Sequence, residues 1–386
     1  MLANAMALVA GLLDFGVSAG GPSLRVRATP VSTAPSLRML RRRRLIAGLA
    51  LLGLVSAGAA ARGAEAVSAA YVGTASDIGL YLAERKGYFR AEGLDVTLTQ
   101  LDVTNKMVPM LGTGDLDVGT GTVAVGIYNA VSRGVALRVV ADKGSMRPGY
   151  GYEGLLVRKD LVDSGRYKDF ADLKGMKIAV ASIGGGNASG GNQALRRGGL
   201  RFADATFVTL PFPQHLTAFA NKSIDAGMTN APTMTLAVEK GVAVKIAGND
   251  VIYPQQQTAI VFYSEKFART RPEAAHRFMR AYLRAVRDYT DALVDGRIAG
   301  ANADEIVATL TQYTNLKNPA LVRKITPPAI NPDGHVNLEG MRIDLAFYRE
   351  IGQVQDPAIK PEDIVDMSFV DAAVRELGPY RPPAKR

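Results

Sequence analysis

The 386-residue chain has no cysteine, no tryptophan and only three histidines. Without cysteine there are no disulfides, no cysteine nucleophile, no thiolate metal site and no lipid-anchored amino-terminal cysteine. Three histidines leave little for a histidine-rich centre, so neither a metal nor a cofactor is expected. Aromatic residues make up only 7% of the chain, which argues against the stacking platforms that hold single-stranded nucleic acid. What is present is ordinary globular material, 47% hydrophobic and 21% charged, and this excludes wholesale disorder. The formal charge of +10 resembles a nucleic-acid signal until its location is considered. Residues 1–66 hold eight arginines against two acids, Asp14 and Glu65, which leaves 38 basic and 34 acidic residues in the remainder. The excess is mostly leader, and no nucleic-acid partner is expected.

Arg41 to Arg44 precede an uncharged run, Leu45 to Val55, and small residues then lead to Ala59-Ala60-Ala61 and Ala64-Glu65-Ala66. This is the charged, apolar and small-residue order of a secretory signal. The apolar run is shorter than the ~20 residues a spanning helix needs, which ranks a short membrane anchor well behind. Residues 39–66 are therefore read as the signal peptide, with translation from Met39. Residues 1–38, which carry Pro22, Pro30 and Pro35 without periodicity, are read as a non-native upstream extension. The paired arginines would also suit a twin-arginine route. The mature chain is expected to begin between Arg62 and Val67 and to be exported as a soluble protein.

From Ser68 onward short apolar runs alternate with helical patterns, the mark of an α/β fold. Strands are expected at 69–73, 94–98, 116–119 and 137–141, with helices at 78–86, 105–111 and 123–132. A second series follows Gly149-Tyr150-Gly151-Tyr152, with strands at 155–157, 177–180, 206–210, 224–228 and 244–246. Helical stretches lie between them near 193–197, 216–220 and 233–240. After a strand at 259–263, Thr270-Arg271-Pro272-Glu273 reads as a capping box. It opens a helix with Phe278, Met279, Tyr282, Leu283, Val286 and Leu293 as its apolar stripe. The carboxyl third reads as mostly helical, and no repeat period is present.

Several phrases then stand out. Tyr81-Leu82-Ala83-Glu84-Arg85-Lys86-Gly87-Tyr88-Phe89-Arg90-Ala91-Glu92-Gly93-Leu94-Asp95-Val96 resembles a signature of periplasmic substrate-binding proteins. The subgroup is the nitrate/sulfonate/taurine and pyrimidine-precursor binders of ABC importers. Leu111 to Gly119, Asp172 to Val180, Ser223 to Gly227 and the Pro272 to Tyr289 helix resemble further family phrases, in family order. The resemblance implies an α/β periplasmic binding protein fold, type II-like, with two lobes, a hinge and an interlobe cleft. It implies a periplasmic, monomeric receptor that binds a small-molecule ligand and delivers it to an ABC transporter permease. Lobe one is placed at 67–150 plus 256–386 and lobe two at 151–255. The phrases themselves are structural; Asp117 and Asp225, beside turns, are read chiefly as partners of backbone N–H groups.

In open α/β sheets ligands sit beyond the carboxyl ends of strands. That rule selects Thr74, Ser76 and Asp77; Thr120 and Thr122; Gly184, Gly185, Gly186, Asn187 and Ser189; Asn230 and Thr233; and Tyr253. The Gly184–Ser189 loop would offer backbone N–H groups to a ligand, and it lacks the Lys-Ser/Thr ending of a nucleotide-binding loop. Asp77 is read first as a helix cap and otherwise as a cleft residue suited to an amine or ring N–H. His215, with no acid arranged beside it, is read as surface or cap, and Tyr150 and Tyr152 as hinge packing or ring-stacking groups. No arginine lies in the five loops, which weakens the case for a sulfonate held by a guanidinium fork. Arg147, outside them, could still contribute one. No catalytic residue is assigned. The alternative is a lyase-like enzyme on the same bilobal fold acting on a small organic acid. The related synthases depend on a cysteine-rich motif, which a chain without cysteine excludes.

Overall fold

The computed structural model describes residues 63–101, 103–314 and 316–383. The upstream extension and the leader's arginines and apolar run lie outside these residues. Among the described residues no helix is long and apolar enough to cross a membrane.

Ten strands form two five-stranded sheets. In chain order they are β1 (Glu65–Tyr71), β2 (Leu94–Gln100), β3 (Val118–Thr122), β4 (Leu137–Ser145), β5 (Glu153–Arg158), β6 (Lys177–Val180), β7 (Thr206–Thr209), β8 (Ala226–Asn230), β9 (Ala243–Gly248) and β10 (Gln257–Ser264). The first sheet has the order β2-β1-β3-β10-β4 and the second β7-β6-β8-β5-β9. In each, three parallel strands are followed by an antiparallel one that arrives from the other sheet: β10 pairs antiparallel with β3 and β4, and β5 with β8 and β9. The chain thus passes between sheets twice, once between Ser145 and Glu153 and once between Gly248 and Gln257. At these crossings glycine is required by contact. A Cβ on Gly151 would lie 2.8 Å from Gly248 Cα and would run into the Asp250 carboxylate.

The largest core lies where the Pro272–Asp291 helix packs on the first sheet and on the Ile78–Arg85 helix. Phe278, Met279, Tyr282, Leu283 and Val286 are fully buried there. Gly79 gives the Tyr282 ring its place, since a Cβ would stand 2.5 Å from ring carbon Cε2. The expected capping box does not form. Thr270 ends the preceding Glu265–Thr270 helix, and its hydroxyl donates to the Lys266 carbonyl at 2.7 Å. Leu293 falls beyond the helix, in a two-residue strand.

Two other departures shape the cleft. Thr120-Gly121-Thr122, expected as a loop, is the second half of β3, held by pairing to Val261, Ile260 and Ala259. The helix expected near Gln193 begins at Gly186, so Gly186, Asn187 and Ser189 form its first turn and are buried. The Leu338–Glu350 helix meets this helix through an Arg196–Glu350 ion pair at 2.7 Å, and its Phe347 packs on Phe202 in the following Phe202–Asp204 turn, with ring centroids 5.0 Å apart.

Candidate functional site

A cavity of about 590 Å³ opens where the carboxyl ends of strands from both sheets face each other. From the first sheet come Val72, Gly73 and Thr74 after β1, Gln100 at the end of β2, and Thr122 at the end of β3. Val103, Thr104 and Asn105, before the next helix, complete that side. From the second come Ser182 after β6, Thr209 at the end of β7, and Asn230 at the end of β8. Pro211, Phe212 and Leu216 belong to the segment after β7, and Pro232, Thr233 and Leu236 to the segment after β8.

Thr74, Thr122, Asn187, Asn230 and Thr233 therefore line this cavity, while Ser76, Asp77, Thr120, Gly184, Gly185, Gly186, Ser189 and Tyr253 stand behind or beside it. Strand ends β2 and β7 obey the same rule, and applying it there would have found Gln100 and Thr209. Phe212, past the strand expected at 206–210, falls under the same rule, and Leu216 opens the helical stretch expected near 216–220.

Behind Thr74 lies a buried ion pair. Asp77, at 0% exposure, receives Lys143 Nζ, at 1%, over 2.6 Å. The same carboxylate accepts the Thr74 N–H at 2.8 Å and the Thr120 hydroxyl at 2.8 Å. Lys143 Nζ also reaches the Thr74 hydroxyl at 3.5 Å. Burial pulls the Lys143 ammonium down from its ordinary value, and the Asp77 and Asp142 carboxylates oppose this. Asp77 thus reaches back to the Thr74 N–H from the end of the Ala75–Asp77 turn and holds an internal cation; its side chain does not cap the Ile78–Arg85 helix as expected, and it does not line the cavity.

The glycine segment is occupied as well. Val125 N–H donates to the Gly184 carbonyl at 2.8 Å, and Gly186 N–H to the Val123 carbonyl at 3.1 Å. With the Ala124–Gly185 bridge, these bonds tie a second-sheet loop to the end of the first sheet. Of the glycine N–H groups expected to meet a ligand, that of Gly186 is directed there instead and that of Gly185 goes to the Ser182 carbonyl at 3.2 Å. A Cβ on Gly184 would lie 2.6 Å from both Val125 Cγ1 and Gln353 Oε1, whereas one on Gly185 meets nothing nearer than 3.4 Å. Gly184→Ala is therefore expected to cost about 1–3 kcal/mol by overpacking this contact, and Gly185→Ala close to nothing. Thermal melts of the two variants check this; equal melting temperatures would refute it.

Beneath the same turn two carboxyls are buried together. Glu153, on β5, is pushed up to about 8, first by burial and then by the neighbouring Asp344 charge, with Asn187 and Gln256 opposing. Asp344, on the Leu338–Glu350 helix, is pushed up to about 7 by burial, against hydrogen bonding from Ser189 and Tyr253. Tyr253 donates its hydroxyl to Asp344 Oδ1 at 2.9 Å and also lies 2.8 Å from the Gly340 carbonyl.

His215 is not at the surface. It is fully buried, with Nε2 3.0 Å from the Leu210 carbonyl and Nδ1 in close contact with the Thr229 hydroxyl; burial lowers it to about 4. Asp117 accepts from the Ser68 N–H and Asp225 from the Lys177 N–H, at 2.9 and 3.0 Å. Tyr152 is buried at the crossing, Tyr150 lies under exposed Arg147, and none of the three lines the cavity. No cluster of three or more histidine or acidic side chains among the described residues is arranged to hold a metal.

The periplasmic aliphatic sulphonate binding protein of Escherichia coli superposes with a TM-score of 0.59 at 19% identity, over 83% of this chain and 94% of that one. The periplasmic nitrate-binding protein of Synechocystis PCC 6803 superposes with a TM-score of 0.66 at 12% identity, over 81% and 89%. At such identities the likeness is one of fold, and the fold is that of the periplasmic binding proteins. Among curated proteins, the 4-amino-5-hydroxymethyl-2-methylpyrimidine phosphate synthase of Aspergillus parasiticus is 33% identical over 103 residues. That match takes in 26% of this chain and 27% of the relative, so the chain spans about a quarter of the relative's length. The family model described as NMT1/THI5 like matches residues 75–292, more than half of the sequence, and the chain belongs to the NMT1/THI5-like family.

Proposed function

We propose that the protein is an exported, soluble receptor that captures a small organic molecule in the cavity and delivers it to an ABC transporter permease. The observation that carries this reading is the cavity itself. It is contributed by strand ends of both sheets, so a ligand there touches two bodies joined by two crossings and favours their closed arrangement. Residues 67–150 plus 256–386 and 151–255 are taken as the closing lobes, in a monomer. The binding-protein neighbours support the role. So does the lining, whose described side chains include no acid, base or nucleophilic lysine of the kind proton-transfer catalysis requires.

The test begins with the molecule that co-purifies with protein exported by its native host, identified by mass spectrometry and added back to stripped protein. A compaction in solution scattering with the molecule unchanged supports the receptor. An unchanged shape, or conversion of the molecule to a product, overturns it in favour of an enzyme on this fold. In the same assay Asn187→Ala is expected to weaken binding by about 0.5–1.5 kcal/mol through loss of one neutral hydrogen bond, read by calorimetry.

A further inference from the structure

We propose that the cleft accepts a neutral molecule with an apolar body seated against Phe212, and that it rejects organic anions. This rests on the receptor reading and adds the charge class of the ligand. No arginine, lysine, histidine, aspartate or glutamate occurs among the described lining residues. Lys143, which reaches the Thr74 hydroxyl at 3.5 Å, is engaged by Asp77 at 2.6 Å. An anion entering the cleft would thus meet no cationic side chain among the described lining residues.

Helix amino termini are the other means of holding an anion, and here they are poor in donors. The Phe212–Ala220 helix starts Pro211-Phe212-Pro213, and proline has no N–H. The Thr233–Glu239 helix follows Pro232, which removes the N–H of its cap position only. In the Gly186–Arg197 helix, the Gly186 N–H is bound to Val123 and the Ala188 and Ser189 N–H groups to Gly185, which leaves the Asn187 N–H of the first turn. A carboxylate or sulfonate buried among these groups would lose its hydration with little in return.

The remaining surface favours the opposite class. Val72, Val103, Leu216 and Leu236 give apolar walls, and Phe212 offers a half-buried ring held by the edge of His215 at 5.7 Å. Asn105, Asn187 and Asn230 supply both donors and acceptors for one polar edge of a ligand. The cavity of about 590 Å³ falls within the ~300–1,000 Å³ of sites that enclose such molecules. The charge class of the ligand is therefore set by this lining and is not inherited from the sulphonate- and nitrate-binding neighbours.

Two fluorescent probes with a common body test the proposal: uncharged phenylnaphthylamine and its sulfonated analogue, anilinonaphthalene sulfonate. Titrated into the mature protein at pH 7, the neutral probe should bind saturably and the sulfonate at least about tenfold more weakly. Phe212→Ala should weaken the neutral probe about tenfold. Gln100→Lys, an exposed position on the cleft rim, should narrow or reverse the preference. Equal or tighter binding of the sulfonate overturns the proposal, as does failure of the neutral probe to saturate or indifference to Phe212→Ala. An anion that bound and compacted the protein in scattering would overturn the charge class and leave the receptor role standing. Neutral binding without compaction would do the reverse.

Discussion

Asp77→Ala should cost the fold about 3–5 kcal/mol, because it leaves the Lys143 ammonium buried without its counter-charge. Lys143 and Asp77 are 1% and 0% exposed, so solvent cannot substitute for either partner. The substitution also strips an acceptor from the Thr74 N–H and the Thr120 hydroxyl. At roughly 2–4 °C per kcal/mol for a protein of this size or a little smaller, the melting temperature should fall by about 6–20 °C. Adding Lys143→Met to the Asp77→Ala background should recover much of the loss, since an apolar side chain removes the uncompensated charge. Calorimetry on the two single variants and the double variant checks this. A single Asp77→Ala variant as stable as the parent, or a double variant less stable than either single one, would show that the pair is dispensable.

The second large effect is expected in alkali. Glu153 and Asp344 hold their protons up to about pH 8 and 7 in the fold, whereas in the unfolded chain carboxyls release them near pH 4. The folded state therefore binds more protons across that interval, and stability falls as pH rises through it. The contribution is fully present below about pH 4 and gone above about pH 8. Asp142, raised to about 6 by burial, acts with the same sign. Glu153→Gln removes the largest share: it should be worth on the order of 2 kcal/mol at pH 9 and close to nothing at pH 5. Thermal melts of parent and variant at the two pH values would expose a wrong assignment as an equal difference at both.

Much of this fold is legible in the sequence because its local signals agree with its global arrangement. β1, β4 and β10 carry compact apolar runs, and the Pro272–Asp291 helix has a wide apolar stripe behind a first-turn proline. The exceptions have a common cause. Val118-Gly119-Thr120-Gly121-Thr122 has too little apolar character to read as a strand to its end, and β10 alongside supplies the pairing. Gly186-Asn187-Ala188-Ser189-Gly190-Gly191-Asn192 has the propensity of a loop. It is helical because its glycines admit close neighbours: a Cβ on Gly190 would meet Asn249 Nδ2 at 2.8 Å, and one on Gly191 the Phe207 ring at 2.8 Å. The strand-end rule found the correct region of the cleft. It could not tell a lining threonine from one turned inward, because Lys143 lies 66 residues from Asp77 and Asp344 lies in the carboxyl third. Nothing within a single strand–loop–helix segment announces such partners.

The backbone bonds between Val123–Val125 and Gly184–Gly186 also make a clock. Their carbonyls and amides follow strands of the two different sheets, so on the proposed closing arrangement any parting of the lobes would release the Val125 and Gly186 protons together. Deuterium should then enter both amides at one common rate, set by how often the cleft opens, while amides inside each sheet exchange only with deeper unfolding. Those two positions would report the frequency of opening in the empty protein, before any ligand is known.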